Sequence, residues 1–321
     1  MAVAAQGQSF AAAKSGPSDS VSTVVVDVDV VNVFFNVRNH DQQVRELRPD
    51  EFRLYEDKRP QNIRYFSAES QQPLTLAILV DSSASQTKVL SRQMEVGRRF
   101  LEQVLTPEDE ALVIGFDSRV QMYQDFTQSH DNLIAALARG SQGTTGSTEP
   151  FDSLPIPVTR STALYDAIVG TSKRRMSTRL GHKAMLILTD GQDMGSRHTS
   201  RQAIESAQRA DTICYVLLVG AKNEMESVAY QGIQRMKELT HETGGRMILV
   251  GSDLKKLESS FNDISDELRH FYSLAYTSDR KEKNGEYRAI QLKSKHGYKV
   301  QARKGYFAVP PRKPVITEAM R

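Results

Sequence analysis

Leu74-Thr-Leu-Ala-Ile-Leu-Val-Asp-Ser-Ser-Ala-Ser85 is the stretch that decides the fold. Residues 74–80 are apolar almost without interruption, which reads as a strand buried on both faces rather than on one. The run then breaks into a short polar turn. From about Ser85 to Leu105, apolar side chains at Val89, Leu90, Met94, Val96, Phe100, Leu101 and Val104 recur at mostly helical spacing. Buried strand, polar turn and amphipathic helix form the first half of a βαβ unit, and the parallel pairing it implies needs more of the same kind.

The grammar repeats toward the carboxyl terminus. Buried strands are expected over 111–116, 184–189, 213–219 and 246–250, with a short edge strand at 120–123. Helices are expected near 130–138, 162–173, 201–209 and 226–242. In a closing helix, Leu254, Leu257, Phe261, Ile264, Leu268 and Phe271 recur every three or four residues, with Ser252 as its N-cap. Apolar strands alternating with helices predict an α/β fold: a doubly wound, mainly parallel sheet over residues 73–272.

The flanks read differently. Val24-Val-Val-Asp-Val-Asp-Val-Val-Asn-Val-Phe-Phe-Asn-Val37 is dense in β-branched residues, and Val31, Val33, Phe35 and Val37 alternate with other positions. Short strands follow, with a hairpin tip at Glu56-Asp-Lys-Arg59. After Tyr272 come three more strand-like runs, separated by Asn284-Gly285 and His296-Gly297 turns. Neither flank is large enough for a core of its own. Segments 21–72 and 273–309 are therefore expected to pair into one small β-sandwich from which the α/β unit projects. Residues 1–20 and 310–321 read as disordered tails.

Composition excludes little. The chain has 321 residues, 39% hydrophobic and 25% charged, with a formal charge of +3, so nothing in the overall balance points to nucleic acid or a membrane surface. No apolar run is long enough to span a bilayer. Residues 1–20 lack the basic start and apolar centre of a signal peptide; a remnant behind a cleaved leader and a plain tail both remain open. The single cysteine, Cys214, lies in an apolar run and reads as a buried strand thiol.

Asp81-x-Ser83-x-Ser85 places a carboxylate and two alternate hydroxyls after the first buried strand. In open α/β sheets ligands sit at the carboxyl ends of strands, near the point where strand order reverses. Such oxygen donors suit a small hard cation such as Mg²⁺, and the lack of His or Cys argues against zinc or copper. Taken alone, the pattern serves equally as a cap or turn. Two later features favour the cation: Thr189-Asp190-Gly191 ends the third buried strand with a second carboxylate, and Thr162 brings a hydroxyl just before a helix.

These residues, in this order and context, resemble the metal-ion-dependent adhesion site of von Willebrand factor type A domains. Thr162-Ala-Leu-Tyr-Asp-Ala167, Leu188-Thr-Asp-Gly191, Thr243-Gly-Gly245 and the closing helix extend the resemblance over residues 73–272. Ser161 stands where many relatives have glycine. Phe52-Arg-Leu-Tyr-Glu-Asp57, Pro60-Gln61 and Ala302-Arg-Lys-Gly-Tyr-Phe307 resemble a bacterial group of von Willebrand type A related proteins, often predicted to be exported. The resemblance implies a divalent cation, Mg²⁺ first and Mn²⁺ or Ca²⁺ as alternatives. It implies direct contact from Ser83, Ser85 and Thr162, with Asp81 and Asp190 acting through water or switching with ligand state. It further implies an open position for an Asp or Glu of a partner protein, and a secreted, periplasmic or cell-surface location, with a cytoplasmic one also open.

The function expected is a protein-binding adhesion or scaffold module and not an enzyme. The 140–160 loop has no Gly-Lys-Ser/Thr ending, so it is not a phosphate loop; it reads as an ordinary insertion or as a specificity loop. Asp117, Asp166 and Asp193 are not expected to be direct ligands, and His182 and His198 read as exposed loop residues. Lys173-Arg-Arg-Met-Ser-Thr-Arg-Leu-Gly-His-Lys183 reads as a solvated basic loop rather than a nucleic-acid site. The competing classes are a scaffold with a vestigial site and a Mg²⁺-dependent hydrolase, for which no general base stands out.

Overall fold

The computed structural model describes residues 30–40, 42–69, 72–82, 87–141, 162–219 and 230–309. The amino-terminal flank folds as strands β1 (Val30–Asn39), β2 (Gln42–Gln43), β3 (Phe52–Glu56), β4 (Arg59–Gln61) and β5 (Tyr65–Glu69). The β3–β4 hairpin turns on Asp57 and Lys58, both at positive φ, as a two-residue turn matched to strand twist requires. The start of the long valine run, residues 24–29, lies outside the described residues.

The α/β unit follows: β6 (Leu74–Asp81), α1 (Thr87–Val104), β7 (Glu110–Phe116), β8 (Val120–Thr127), α2 (His130–Ser141), α3 (Leu164–Arg174), β9 (His182–Thr189), α4 (Ser200–Arg209), β10 (Ile213–Val219), α5 (Tyr230–Thr243), β11 (Met247–Gly251) and α6 (Leu254–Arg269). Its sheet has the order β11-β10-β9-β6-β7-β8. All its pairings are parallel except β7 with the edge strand β8. Every residue of β6 and of β9 is buried. Leu76, Ile78 and Val80 join one core with Leu101 of α1, Leu133 of α2 and Phe261 of α6. Ala77 and Leu79 join another with Ile168 of α3, Ala207 of α4 and Leu239 of α5. Successive side chains of one strand thus feed helical layers on opposite faces.

The carboxyl-terminal flank supplies β12 (Phe271–Thr277), β13 (Tyr287–Ser294), β14 (Lys299–Ala302) and β15 (Gly305–Phe307). It interleaves with the amino-terminal flank: β1 lies between β12 and β14, and β13 between β15 and β3. These two sheets are antiparallel throughout. Val33, Phe35, Phe52, Leu54, Leu274, Tyr276 and Ile290 fill the space between them. Phe34, on the opposite face of β1, packs edge-on against Phe271 and His182. β1 therefore serves the sandwich with one face and the α/β unit with the other.

A buried polar hub ties the two parts together. Glu267 of α6 is 1% exposed, pairs with Arg38 of β1 at 2.8 Å and Arg246 at 2.7 Å, and accepts a hydrogen bond from Gln301 of β14 at 3.0 Å.

Several local expectations need correction. Helix α6 is capped by Asp253, not Ser252: its carboxylate accepts the Lys255 and Lys256 N–H groups. His182 is not a loop residue but opens β9, 2% exposed, its ring 4.0 Å from that of Phe271. His198 is partly buried and hydrogen-bonded to Asp166 at 2.7 Å. The basic 173–183 stretch is largely tied down: Arg175 pairs with Asp125, Arg179 pairs with Glu110 at 2.5 Å and lies over the Phe126 ring, and buried Lys183 donates to Met176 and Arg179 carbonyls. Cys214 is buried, as expected, and burial pushes its thiol up to about 12.

Candidate metal centre

β6 and β9 are neighbours in parallel register, Val80 opposite Leu188. Asp81 ends β6, and Thr189-Asp190 follows at the end of β9. Two carboxylates 109 positions apart in the sequence thereby reach one edge of the sheet. Both are sunk into it: Asp81 is 1% exposed and Asp190 6%. A buried carboxylate needs compensating partners, and the strand end supplies them. The Thr189 hydroxyl donates to Asp81 Oδ2 at 3.0 Å and accepts the Gly191 N–H at 3.1 Å. Asp190 Oδ1 accepts the Gln192 N–H at 2.9 Å. Gly191 adopts φ +84°, and a Cβ there would stand 3.1 Å from Leu218; conformation and space both ask for glycine.

Thr162 stands half-buried just before α3, in a clamp. Its carbonyl accepts the N–H groups of Met194 and Gly195, each at 3.1 Å, and the next N–H, of Ala163, donates to the Asp117 carbonyl at 2.7 Å. The helix that follows is capped from a distant loop. Asp193 accepts the Tyr165 N–H at 3.3 Å, and Ser196 Oγ accepts the Asp166 N–H at 3.1 Å while donating to Asp193 at 2.5 Å. In return the Asp166 carboxylate accepts the N–H groups of Arg197 and His198. The segment bearing Thr162 and the loop leaving Asp190 are thus laced into one unit. Burial raises the Asp193 carboxyl above its ordinary value, against the lowering effect of Ser196 and the helix N–H groups, and repulsion from Asp166 adds to the rise.

The structure brings Asp81, Asp190 and the Thr162 segment into this region; Ser83 and Ser85 lie outside the described residues. Asp117, Asp166 and Asp193 bond to backbone groups that shape the surrounding loops. Thr189 was assigned no role by sequence reasoning. The available signal was a hydroxyl at the end of a strand otherwise apolar from Ala184 onward.

Among the described residues no three His, Cys, Asp or Glu side chains converge into a metal-holding group. Any cation here would therefore need hydroxyl or water oxygens beside the two carboxylates. Two buried carboxylates at adjoining strand ends fit such a hard divalent ion, whose charge they balance.

No protein-family model matches the chain, and no curated protein does. Solved structures similar to it include the conserved hypothetical protein BatB from Bacteroides thetaiotaomicron, at 15% identity and TM-score 0.45, covering 60% of this chain and 98% of that one. A von Willebrand factor type A protein from Catenulispora acidiphila has 13% identity and TM-score 0.43, covering 76% and 73%. An aerotolerance-related membrane protein from Bacteroides fragilis has 17% identity and TM-score 0.43, covering 60% and 99%.

Proposed function

We propose that this chain is a metal-dependent protein-binding module, an adhesion or scaffold element. Its α/β unit, residues 73–272, is read as a doubly wound domain of the von Willebrand type A kind, set on a sandwich made of 21–72 and 273–309. Asp81 and Asp190, with hydroxyls from Ser83, Ser85 and Thr162, would hold Mg²⁺, with Mn²⁺ or Ca²⁺ as alternatives. When bound, the ion supplies an electrophilic centre that a partner's Asp or Glu completes. The observation that carries the reading is the pair of buried carboxylates, Asp81 and Asp190, at the ends of adjoining parallel strands.

The chain's own residues have definable tasks. Thr189 fixes one oxygen of Asp81 and so orients the other. The lacing through Asp193 and Ser196 holds the Thr162 segment in place before any ligand arrives, which lowers the ordering cost of binding. Met194, 73% exposed on the loop leaving Asp190, offers an apolar contact beside the partner's acidic group. Export to the periplasm, cell surface or medium suits such a module. Among the described residues, no helix is long and apolar enough to cross a membrane.

Thermal melting tests the reading. An ion that binds only the folded state raises its stability with concentration. Mg²⁺ or Mn²⁺ should raise the Tm of the wild type and leave that of Asp81→Ala unchanged. Equal shifts in both proteins would remove the site from Asp81.

A further inference from the structure

A concave surface outside the candidate metal centre lies on the sandwich. It sits at the opposite end of the α/β unit from Asp81, because it takes in His241 at the carboxyl end of α5, a helix that runs back to the amino ends of the strands. It is an open trough of about 760 Å³. Its floor is β13 from Ala289 to Lys293, one wall is the Arg303-Lys304 link between β14 and β15, and the β3–β4 hairpin tip closes one end.

The trough carries a surplus of positive charge. Lys58, Lys293, Arg303 and Lys304 line it, against Asp57 alone. Asp57 is already engaged: it pairs with Arg280 at 2.9 Å and accepts the Ala289 N–H at 2.9 Å. Arg303 is likewise engaged, by Asp211 at 2.5 Å. Lys58, Lys293 and Lys304 make no ion pair among the described residues; the Lys293 ammonium has only the Tyr55 ring, 5.8 Å away. Lys304 is partly buried, and burial, with repulsion from Lys299, lowers its pKa while Glu242 alone opposes the fall. A partly desolvated ammonium offset only by Glu242 is a cost that a bound anion relieves further.

The surplus is regional. Residues 273–309 hold nine Lys or Arg against three Asp or Glu, while the rest of the chain has three more acidic than basic residues. A solvated basic surface needs neither a concavity nor a half-buried ammonium; this one has both. The four residue steps from Ala289 to Lys293 span roughly 13 Å at strand rise, too far for one phosphate to bridge both ends. Carboxylates on alternate residues of an extended peptide repeat about every 7 Å, which suits that length.

We propose that this trough binds an extended acidic peptide segment of a partner protein, independently of any metal. The test uses the full chain in EDTA and a fluorescein-labelled decapeptide of alternating Glu and Ser, read by fluorescence polarisation. Binding is expected in the wild type and in Asp81→Ala. Lys58→Glu/Lys293→Glu should weaken it at least tenfold. Lys255→Glu/Lys256→Glu, which changes net charge equally on the exposed start of α6, should weaken it less than threefold. Circular dichroism melts confirm that each variant is folded. No peptide binding, equal loss in both double variants, or a requirement for divalent metal would overturn the proposal. So would displacement by inorganic phosphate at matched total charge and ionic strength, which would reduce the trough to a simple anion site. A negative result here leaves the metal reading at Asp81 untouched, and the reverse holds as well.

Discussion

The Thr189 hydroxyl donates to Asp81 Oδ2 at 3.0 Å while the Gly191 N–H donates to that hydroxyl. One side chain of β9 therefore fixes a carboxylate of β6 and the first turn beyond Asp190 together.

Thr189→Val keeps the shape and removes that link. A hydrogen bond to a buried charged group contributes about 1.5–3 kcal/mol, so urea unfolding should show a loss of that order. Removing a residue that orients a ligand typically weakens metal affinity about 10–100-fold. Calorimetric Mn²⁺ affinity should fall accordingly. Unchanged affinity would mean that Asp81 is oriented by other groups.

Asp193→Ala removes the distant cap of α3. Cap loss costs about 1 kcal/mol, and the expected Tm drop should come with weaker metal binding, because the Thr162 segment loses its lacing. Asp193→Asn, which still accepts a hydrogen bond, should recover most of both. Loss of stability with no change in metal binding would assign Asp193 to folding alone.

His182 predicts a specific acid sensitivity. Burial, and secondarily the Arg269 charge, lower its pKa from 6.5 to about 4, so the folded state disfavours the imidazolium. The stabilising contribution of the neutral ring is complete above the unfolded pKa near 6.5. It is lost as pH falls from there toward 4, by about 3 kcal/mol in total. His182→Phe, which keeps a ring against Phe34 and Phe271, should show a shallower fall in unfolding free energy over that window. Parallel curves for the two proteins would rule out His182 as the source.

Glu267→Ala removes the buried carboxylate shared by Arg38 and Arg246 at the junction of sandwich and α/β unit, while Arg246 keeps Asp263. Breaking a buried pair from one side costs about 3–5 kcal/mol. Chemical denaturation should show a loss of that order, and limited proteolysis should cut faster near the α6–β12 junction. A loss below about 1 kcal/mol would mean that the apolar packing of Phe34 and Phe271 holds the two parts together.

Legibility in the sequence followed locality. The runs that became β6, β9 and β10 are apolar on both faces, so their burial, and hence the edge reached by Asp81 and Asp190, could be read from the order of residues. The alternation at Val33, Phe35 and Val37 marked the sandwich face of β1. What could not be read joins segments far apart. His182 looks like a loop histidine until Phe34, 148 positions earlier, and Phe271, 89 later, close over it. The capping of α3 by Asp193 and Ser196 crosses about 30 residues. The misplaced cap of α6 has a smaller cause: Ser252 and Asp253 are both good caps in adjacent positions, and only the register of the helix start selects Asp253.

Isothermal calorimetry of chelator-stripped protein with Mg²⁺ and Mn²⁺, beside Asp81→Ala and Asp190→Ala, tests the central claim most directly. The account predicts one-site binding in the wild type that is lost in both variants while their far-UV circular dichroism stays unchanged. Absence of binding in the wild type, or equal binding in all three proteins, would contradict it.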